Sequence, residues 1–499
     1  MSNLTRIASL KTVDAFLELV ATLGIDLPCD YRVETGTTSP LVMPVENVRI
    51  NGKSLFNRWA VHPMEGWDAG RDGRPTAEVR RRWQRFGESG AAMIWGGEAM
   101  AIVPEGRANP HQLVIRRETR SDLAGLIALA REAHQHRMGQ DSEPVIGFQL
   151  THSGRFCRPN SKELEPRVAF RHPILDERFH VTEERQVLAD DEVQALIPRY
   201  VEAARVAMEA GADFVDIKHC HGYLLHEFLG AHTRPGVYGG SFENRTRILR
   251  EIVAGIRADG NPIEIGVRLS AFDFVPFRPD PALSGPGKPG PGIPADLAGC
   301  LPYVYGFGVS SEDPTRHDLR EAHAFLRLCH ELGIRLVNLT AGSPYYNPHI
   351  QRPAAYPPSD GYLPPEDPLV GVARQVQAVR ELKAGAPKDM VLFGTGYTYL
   401  QEYLPLVAQA VLRAGWVDSV GIGRMVLSYP GIFADAVEGK ELLRRSVCRT
   451  FSDCTTAPRN GLVSGCFPLD PYYASRPEAQ QLKAIKAGSA ERRGHSGKG

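Results

Sequence analysis

The sequence predicts a (β/α)8 barrel, and three observations carry that reading. Strand and helix signals alternate eight times between about residues 46 and 440, the count of such a barrel. A run of strand formers, Asp213-Phe214-Val215-Asp216-Ile217, leads straight into Lys218-His219-Cys220-His221-Gly222-Tyr223. Proton-active side chains at the carboxyl end of a buried strand are how a parallel α/β enzyme presents a site. Finally, two long loops leave predicted strand ends and should overhang one mouth.

An amphipathic helix is expected first, over 10–24, inside an N-terminal extension of 1–45, and a Pro-bearing stretch runs on to about 47. Strands are expected at 58–62, 91–95, 145–150, 213–217, 263–269, 335–339, 390–393 and 419–422. Helix-period stretches separate them at 77–88, 120–137, 190–210, 243–258, 318–332, 369–384 and 400–414, with a last one near 430–439. A doubly wound sheet would use fewer strands and a phosphate loop after the first. Here the first strand runs into Pro63-Met64-Glu65-Gly66-Trp67. The barrel is therefore placed at 46–440, with an insertion at 271–315. Its Pro- and Gly-dense part, 276–294, is either a lid or a disordered segment. The second long loop, 343–368, carries Tyr345, Tyr346, Tyr356 and Tyr362. A Cys-containing extension over 441–473 and a disordered polar tail over 474–499 complete the chain.

Composition narrows the function. Of 499 residues, 42% are hydrophobic and 23% charged, as in soluble globular proteins. Lys+Arg and Asp+Glu both number 58, so net charge is zero. No basic stripe suggests nucleic acid, and no polybasic run suggests a membrane surface. The apolar segment 15–25 contains Glu18 and is too short to span a bilayer. It also lacks the marks of a signal peptide. Eight cysteines in this length make no disulfide scaffold, so a cytoplasmic protein with reduced thiols is expected. A small-molecule substrate is the expected partner, with a homo-oligomer left open.

Three strands place a polar residue in register on an apolar pattern. Gln149 shares a face with Gly147, Arg268 with Gly266 and Ser270, and Lys218 with Asp216. A barrel interior is normally apolar, so these groups need a partner. One planar ligand with carbonyl and ring-nitrogen acceptors would satisfy Gln149 and Arg268 together. A lumen salt bridge, Arg268 with Asp216, is the alternative. Near the end, Gly394-Thr395-Gly396 and Gly421-Ile422-Gly423-Arg424 close the last two strands. Glycine-rich turns and an Arg at that place form the barrel's recurrent phosphate site. Gly394-Thr395-Gly396 is no dinucleotide fingerprint, because position 399 is Tyr. No metal is expected at Lys218, His219, Cys220, His221 and His226, since alternation sends strand neighbours to opposite faces.

Taken together, the motifs resemble the old yellow enzyme family of FMN-dependent NAD(P)H oxidoreductases, and most of all its longer branch related to 2,4-dienoyl-CoA reductases and trimethylamine dehydrogenase. The resemblance runs from about residue 45 to 440. It rests on Pro63-Met64, Gly97-Glu98-Ala99, Gln149-Leu150-Thr151-His152-Ser153-Gly154-Arg155, His221-Gly222-Tyr223-Leu224-Leu225-His226-Glu227-Phe228, Gly266-Val267-Arg268-Leu269-Ser270 and Gly423-Arg424. It implies FMN at the barrel mouth, bordered by Pro63, Met64, Glu65 and Ala99. Gln149 would bond the pyrimidine edge and Arg268 would sit near N1, where reduction places negative charge. Gly396, Gly423 and Arg424 would hold the phosphate. His221 would belong to the pair of donors to a substrate carbonyl, and Tyr223 would be the proton donor. The implied activity is ene-reduction of an activated C=C with NAD(P)H. The alternative on the same scaffold is an oxidative N-demethylase or amine dehydrogenase, which aromatic side chains would favour.

Three positions depart from the family pattern. Lys218 replaces the usual leading His of the donor pair, which with Arg268 implies a strongly cationic pocket and an acidic substrate. Glu65 stands where Thr or Cys is common, either acting near the substrate or forming a salt bridge to an Arg. The longer branch binds a [4Fe–4S] cluster after the barrel. Here Cys454 and Cys466 keep the final eleven-residue gap, but Cys448 is off register, so a cluster is not the expected outcome.

Overall fold

The computed structural model describes residues 4–45, 48–285 and 289–495. The expected barrel start at residue 46, positions 286–288 of the insertion and the last four residues of the tail lie outside the described residues. Eight strands form the barrel: β1 (Trp59–Val61), β2 (Met93–Ile94), β3 (Val145–Thr151), β4 (Phe214–His219), β5 (Glu264–Ser270), β6 (Leu336–Thr340), β7 (Val391–Gly394) and β8 (Ser419–Ile422). Each pairs in parallel with the next, and β8 pairs with β1, so the sheet closes. The helices are α1 (Ala77–Gly87), α2 (Arg120–Met138), α3 (Asp190–Glu209), α4 (Arg247–Ala258), α5 (Arg320–Glu331), α6 (Pro368–Gly385), α7 (Leu404–Arg413) and α8 (Ile432–Val437). All eight expected strands are present, within a few residues of where alternation places them.

Local chemistry explains the boundaries. The Thr76 hydroxyl accepts from the Val79 amide and caps α1, and Asp367 with Pro368 behind it starts α6. In α4, Ile248, Leu249, Ile252, Val253 and Ile256 fall on one face and are buried. β2 is shorter than expected, and Gly96 (φ +80°) and Gly97 (φ +57°) turn the chain just after it. A Cβ on Gly97 would lie 2.3 Å from the Trp83 indole. The chain resumes as a short strand, Ala99–Ala101, alongside Gln149–Thr151 of β3.

Side chains on alternate strand positions fill the lumen in layers. The lower layer is aromatic: Trp95 packs edge-on to Phe214 at 5.2 Å and tilted on Phe393 at 4.8 Å. Glycines make room for these rings. A Cβ on Gly147 would sit 2.4 Å from Phe214, and one on Gly266 would sit 3.2 Å from Trp95. Each buried ring contributes roughly 1.5–3 kcal/mol. Above this plug the inward positions turn polar: Gln149, Asp216, Arg268 and then Lys218. Outward residues such as Val215 and Ile217 join the main core beneath the helices.

The additions bear on two expectations. The insertion is ordered where described: Phe277–Pro279 and Gly292–Pro294 pair as an antiparallel hairpin. It braces the 343–368 loop, with the Phe277 amide donating to the Tyr346 carbonyl (2.8 Å) and the Gly292 amide to that of Leu363 (2.9 Å). The expected disordered tail instead carries a helix, Pro477–His495. Its Leu482 is buried with Ala457, Phe467 and Tyr473, Ala479 packs beside them, and Lys486 pairs with Asp453, which together anchor a largely polar segment. At the N-terminus a helix, Val13–Thr22, stacks Phe16 on Tyr403 at 4.4 Å. Among the described residues, no helix is long and apolar enough to cross a membrane.

Helices α1 and α2 approach so closely that a Cβ on Gly87 would lie 2.1 Å from the Ala130 carbonyl oxygen. Backbone cannot step aside as a flexible side chain can. Gly87→Ala should therefore cost about 1–3 kcal/mol, read as a lowered Tm in thermal denaturation.

Candidate active site

One cavity opens at the carboxyl ends of the strands. Its lining includes Pro63, Met64, Glu65, Gln149, Lys218, His221, Tyr223, Arg268, Gly396, Gly423 and Arg424, so almost every residue singled out from the sequence meets there. Ala99 does not. It is buried on its short strand, where its carbonyl accepts from Gln112 at 3.0 Å.

The floor of the cavity is organised by Asp216, a fully buried carboxylate. One oxygen accepts from Gln149 Nε2 (2.5 Å) and Trp95 Nε1 (2.7 Å), and the other from the Arg268 backbone amide (2.7 Å). Burial pushes its carboxyl up, and the bonds from Gln149 and Trp95 oppose that. Asp216 thereby fixes which end of the Gln149 amide is nitrogen. The alternative of an Arg268–Asp216 salt bridge is not realised: the bond runs to the backbone amide, and the guanidinium keeps a buried Nε without a hydrogen-bond partner. Among the described residues no carboxylate lies at ion-pair distance from Arg268.

The wall at the end of β4 is held in unusual backbone. His221 has φ +68° and Gly222 φ +77°, two consecutive left-handed residues that turn the chain sharply, and such strain collects at functional sites. The Ser270 hydroxyl accepts from the His221 amide (3.0 Å), and the Ser343 hydroxyl donates to its carbonyl (2.8 Å). Burial, then Arg268 and Lys218, keeps the His221 imidazole well below its usual range, so it is neutral. Its Nε2 faces the Gln351 side-chain amide at 3.3 Å.

Beside it stands a polar cluster centred on Glu65. Lys218 Nζ pairs with Glu65 Oε1 at 2.8 Å and sits 3.5 Å above the centre of the Tyr223 ring. The Tyr223 hydroxyl donates to Glu65 Oε2 (2.9 Å) and meets the Tyr345 hydroxyl (2.9 Å), while Trp67 Nε1 donates to Glu65 Oε2 (2.9 Å). Burial and then Glu65 raise the Tyr223 phenol well above its usual range. Glu65 neutralises Lys218, so the cationic character expected of the pocket rests on Arg268 alone of that pair. Glu65 does form a salt bridge, with a lysine as partner instead of an arginine.

A second polar end lies between the β7 and β8 turns, the 343–368 loop and the C-terminal extension. Arg352 and Arg424 line it with Gly396 and Gly423. Arg424 Nη1 and Arg352 Nη2 are buried without partners, and neither guanidinium has a carboxylate at ion-pair distance among the described residues. Burial, then Arg459 and Arg424, lowers the Arg352 guanidinium from its usual range. Two half-buried, unneutralised cations beside glycine-rich turns call for an anion.

Sequence reasoning missed Arg352 and the extension's part in the site. Cys454, Thr455, Pro458, Arg459 and Ser464 line the cavity. Thr455 Oγ1 accepts from Arg352, Arg459 pairs with Asp360, and the Ser452 hydroxyl donates to the Tyr356 carbonyl at 2.6 Å. These contacts join segments about a hundred residues apart, and no local pattern announces them. Cys448 and Cys466 are buried, with burial raising both thiols. Among the described residues, no group of three or more His, Cys, Asp or Glu is placed to hold a metal ion. Of the four loop tyrosines only Tyr345 lines the cavity.

Comparison with known proteins agrees with the motifs. Residues 45–279 match the NADH:flavin oxidoreductase / NADH oxidase family. The NADPH dehydrogenase of Halalkalibacterium halodurans is 30% identical over 233 residues, 45% of this chain and 62% of that protein. The match therefore spans less than two thirds of that relative. Two solved structures share the fold. A 2-naphthoyl-CoA reductase complex has a TM-score of 0.61 at 16% identity, covering 87% of this chain and 57% of that one. Histamine dehydrogenase from Rhizobium sp. 4-9 has a TM-score of 0.60 at 19% identity, covering 88% and 53%.

The cavity fits FMN, the flavin of the family the motifs resemble. The unpaired Arg268 Nε stands at one end, and the unneutralised Arg352 and Arg424 suit a phosphate at the other. Arg352→Met should weaken FMN binding by the apoprotein at least about tenfold, the loss of a charge-assisted bond worth roughly 1.5–3 kcal/mol. Riboflavin, which lacks the phosphate, should bind wild type and variant alike. Quenching of flavin fluorescence measures both.

Proposed function

We propose that this chain is an FMN-dependent NAD(P)H oxidoreductase that reduces an activated C=C. The observation that supports it best is the single cavity in which an unpaired Arg268, the neutral His221 and the Tyr223 phenol converge. When bound, FMN supplies the redox chemistry, taking hydride from NAD(P)H and passing it to an electrophilic carbon. Gln149, oriented by Asp216, and Arg268 would hold its pyrimidine edge. Gly396, Gly423, Arg424 and Arg352 would hold its phosphate, with Pro63 and Met64 along its flank. Lys218 and His221 would orient a substrate oxygen, and Tyr223 would give the proton at the neighbouring carbon.

Charge narrows the substrate. The Lys218–Glu65 pair carries no net charge beside the substrate oxygen. A carboxylate there would face Glu65, so a neutral carbonyl is favoured over the acidic substrate that Lys218 alone implied. One observation favours amine oxidation as a second reading: Glu65 is a carboxylate among Trp67, Tyr223 and Tyr345, surroundings that suit a cationic amine. Lys218 already occupies that carboxylate, which weighs against it.

With NAD(P)H-reduced protein under anaerobic conditions, a neutral α,β-unsaturated ketone should restore the oxidised flavin faster than its carboxylate counterpart. Tyr223→Phe should slow that step by about 10²-fold or more with little change in KM. Reoxidation by no enone, together with reduction of the oxidised protein by N-methyl amines, would favour the second reading.

A further inference from the structure

We propose that Glu65 returns the proton to Tyr223 after each turnover, so that solvent protons reach the substrate carbon through Glu65 and then Tyr223. The inference rests on the reading of Tyr223 as the proton donor. A phenol that gives its proton away must recover one before it can act again. Tyr223 is only 3% exposed, and its hydroxyl has two neighbours, Glu65 Oε2 and the Tyr345 hydroxyl, each at 2.9 Å.

Both neighbours are half-buried and line the cavity, and they differ in their partners and their proton chemistry. Tyr345 is stacked on Phe156 with ring centres 3.9 Å apart and has Arg459 over its ring, and no hydrogen bond besides that to Tyr223 reaches its hydroxyl among the described residues. Glu65 has a side chain 13% exposed, and a carboxyl is a far better proton carrier than a second phenol. Its other contacts, Lys218 Nζ on Oε1 and Trp67 Nε1 on Oε2, fix the carboxylate against the phenol.

In the transfer to substrate, the carbon's electron pair takes the Tyr223 proton; a C–H bond forms and the Tyr223 O–H breaks. A phenolate then lies beside the Glu65 carboxylate, and the repulsion raises the proton affinity of both. Glu65 takes a proton from water and passes it to the more basic phenolate, which restores the Tyr223 O–H and the Lys218–Glu65 pair. Lys218 lies 2.8 Å from Glu65 Oε1 and 3.5 Å from the centre of the Tyr223 ring, so one ammonium faces the excess charge in either position. One solvent proton is consumed per turnover.

The test uses the FMN-loaded protein and the variants Glu65→Gln, Glu65→Asp and Tyr345→Phe, with Tyr223→Phe to assign the signal. Two readouts are taken. The first is the ultraviolet titration of the Tyr223 phenol, which needs no turnover; the charged and titratable groups facing it are Glu65, Lys218 and Tyr345. Glu65→Gln should move that titration down by about one pH unit or more. The second is steady-state kcat set against single-turnover hydride transfer. Glu65→Gln should lower kcat by about 10²-fold, and by clearly more than it slows single-turnover hydride transfer. Glu65→Asp should recover part of the loss, and Tyr345→Phe should lower kcat much less than Glu65→Gln does. An unmoved Tyr223 titration in Glu65→Gln would overturn the inference. So would wild-type kcat in Glu65→Gln alongside a loss in Tyr345→Phe, which would route the proton through Tyr345. Protein that bleaches with NAD(P)H but reduces no enone would instead overturn the ene-reductase reading, and the titration would still decide the Glu65–Tyr223 coupling.

Discussion

A carboxylate buried in the middle of a barrel must be satisfied by its surroundings, and much of this site is shaped by how Asp216 is. Its two oxygens take hydrogen bonds from β3 through Gln149, from the residue after β2 through Trp95, and from β5 through the Arg268 amide. Leaving such a group short of a partner costs several kcal/mol. The network therefore links the aromatic plug below to the polar floor above. Because Asp216 engages the Gln149 side chain and the Arg268 backbone, two groups are left for a ligand: an oriented amide and a guanidinium with no ion pair.

The same contrast runs through the rest of the cavity. Lys218 is neutralised within the protein by Glu65, whereas Arg268, Arg352 and Arg424 are not neutralised by any carboxylate at ion-pair distance among the described residues. Guanidiniums without counter-ions, Arg268 buried and Arg352 and Arg424 half-buried, are tolerable where an anionic ligand completes them, and their place in one cavity suits a flavin mononucleotide. The neutral Lys218–Glu65 pair marks a different part of the pocket, where substrate chemistry and proton movement would take place.

The fold was legible because its signals are local. Strand formers such as Val215 and Ile217, the helical spacing of Ile248, Ile252 and Ile256, and glycines at strand ends mark the barrel within windows of a few residues. The polar inward positions Gln149, Arg268 and Lys218 were legible too, since each interrupts an apolar alternation. What escaped notice depends on contacts across the chain. Glu65 and Lys218 are 153 residues apart, so neither position announces that the other neutralises it. Arg352 and Thr455 are 103 apart, and the extension's place in the cavity wall follows from such pairs. The tail helix escaped for a different reason: in a largely polar segment a few contacts, from Leu482, Ala479 and Lys486, decide its packing.

If the barrel binds a flavin that a nicotinamide nucleotide reduces, the visible spectrum of the purified protein will report it. The spectrum is recorded anaerobically before and after addition of NADPH or NADH. A flavin band that bleaches with one of the nucleotides is the expected result. A colourless protein that also fails to take up added FMN would contradict it, as would a bound flavin that neither nucleotide bleaches.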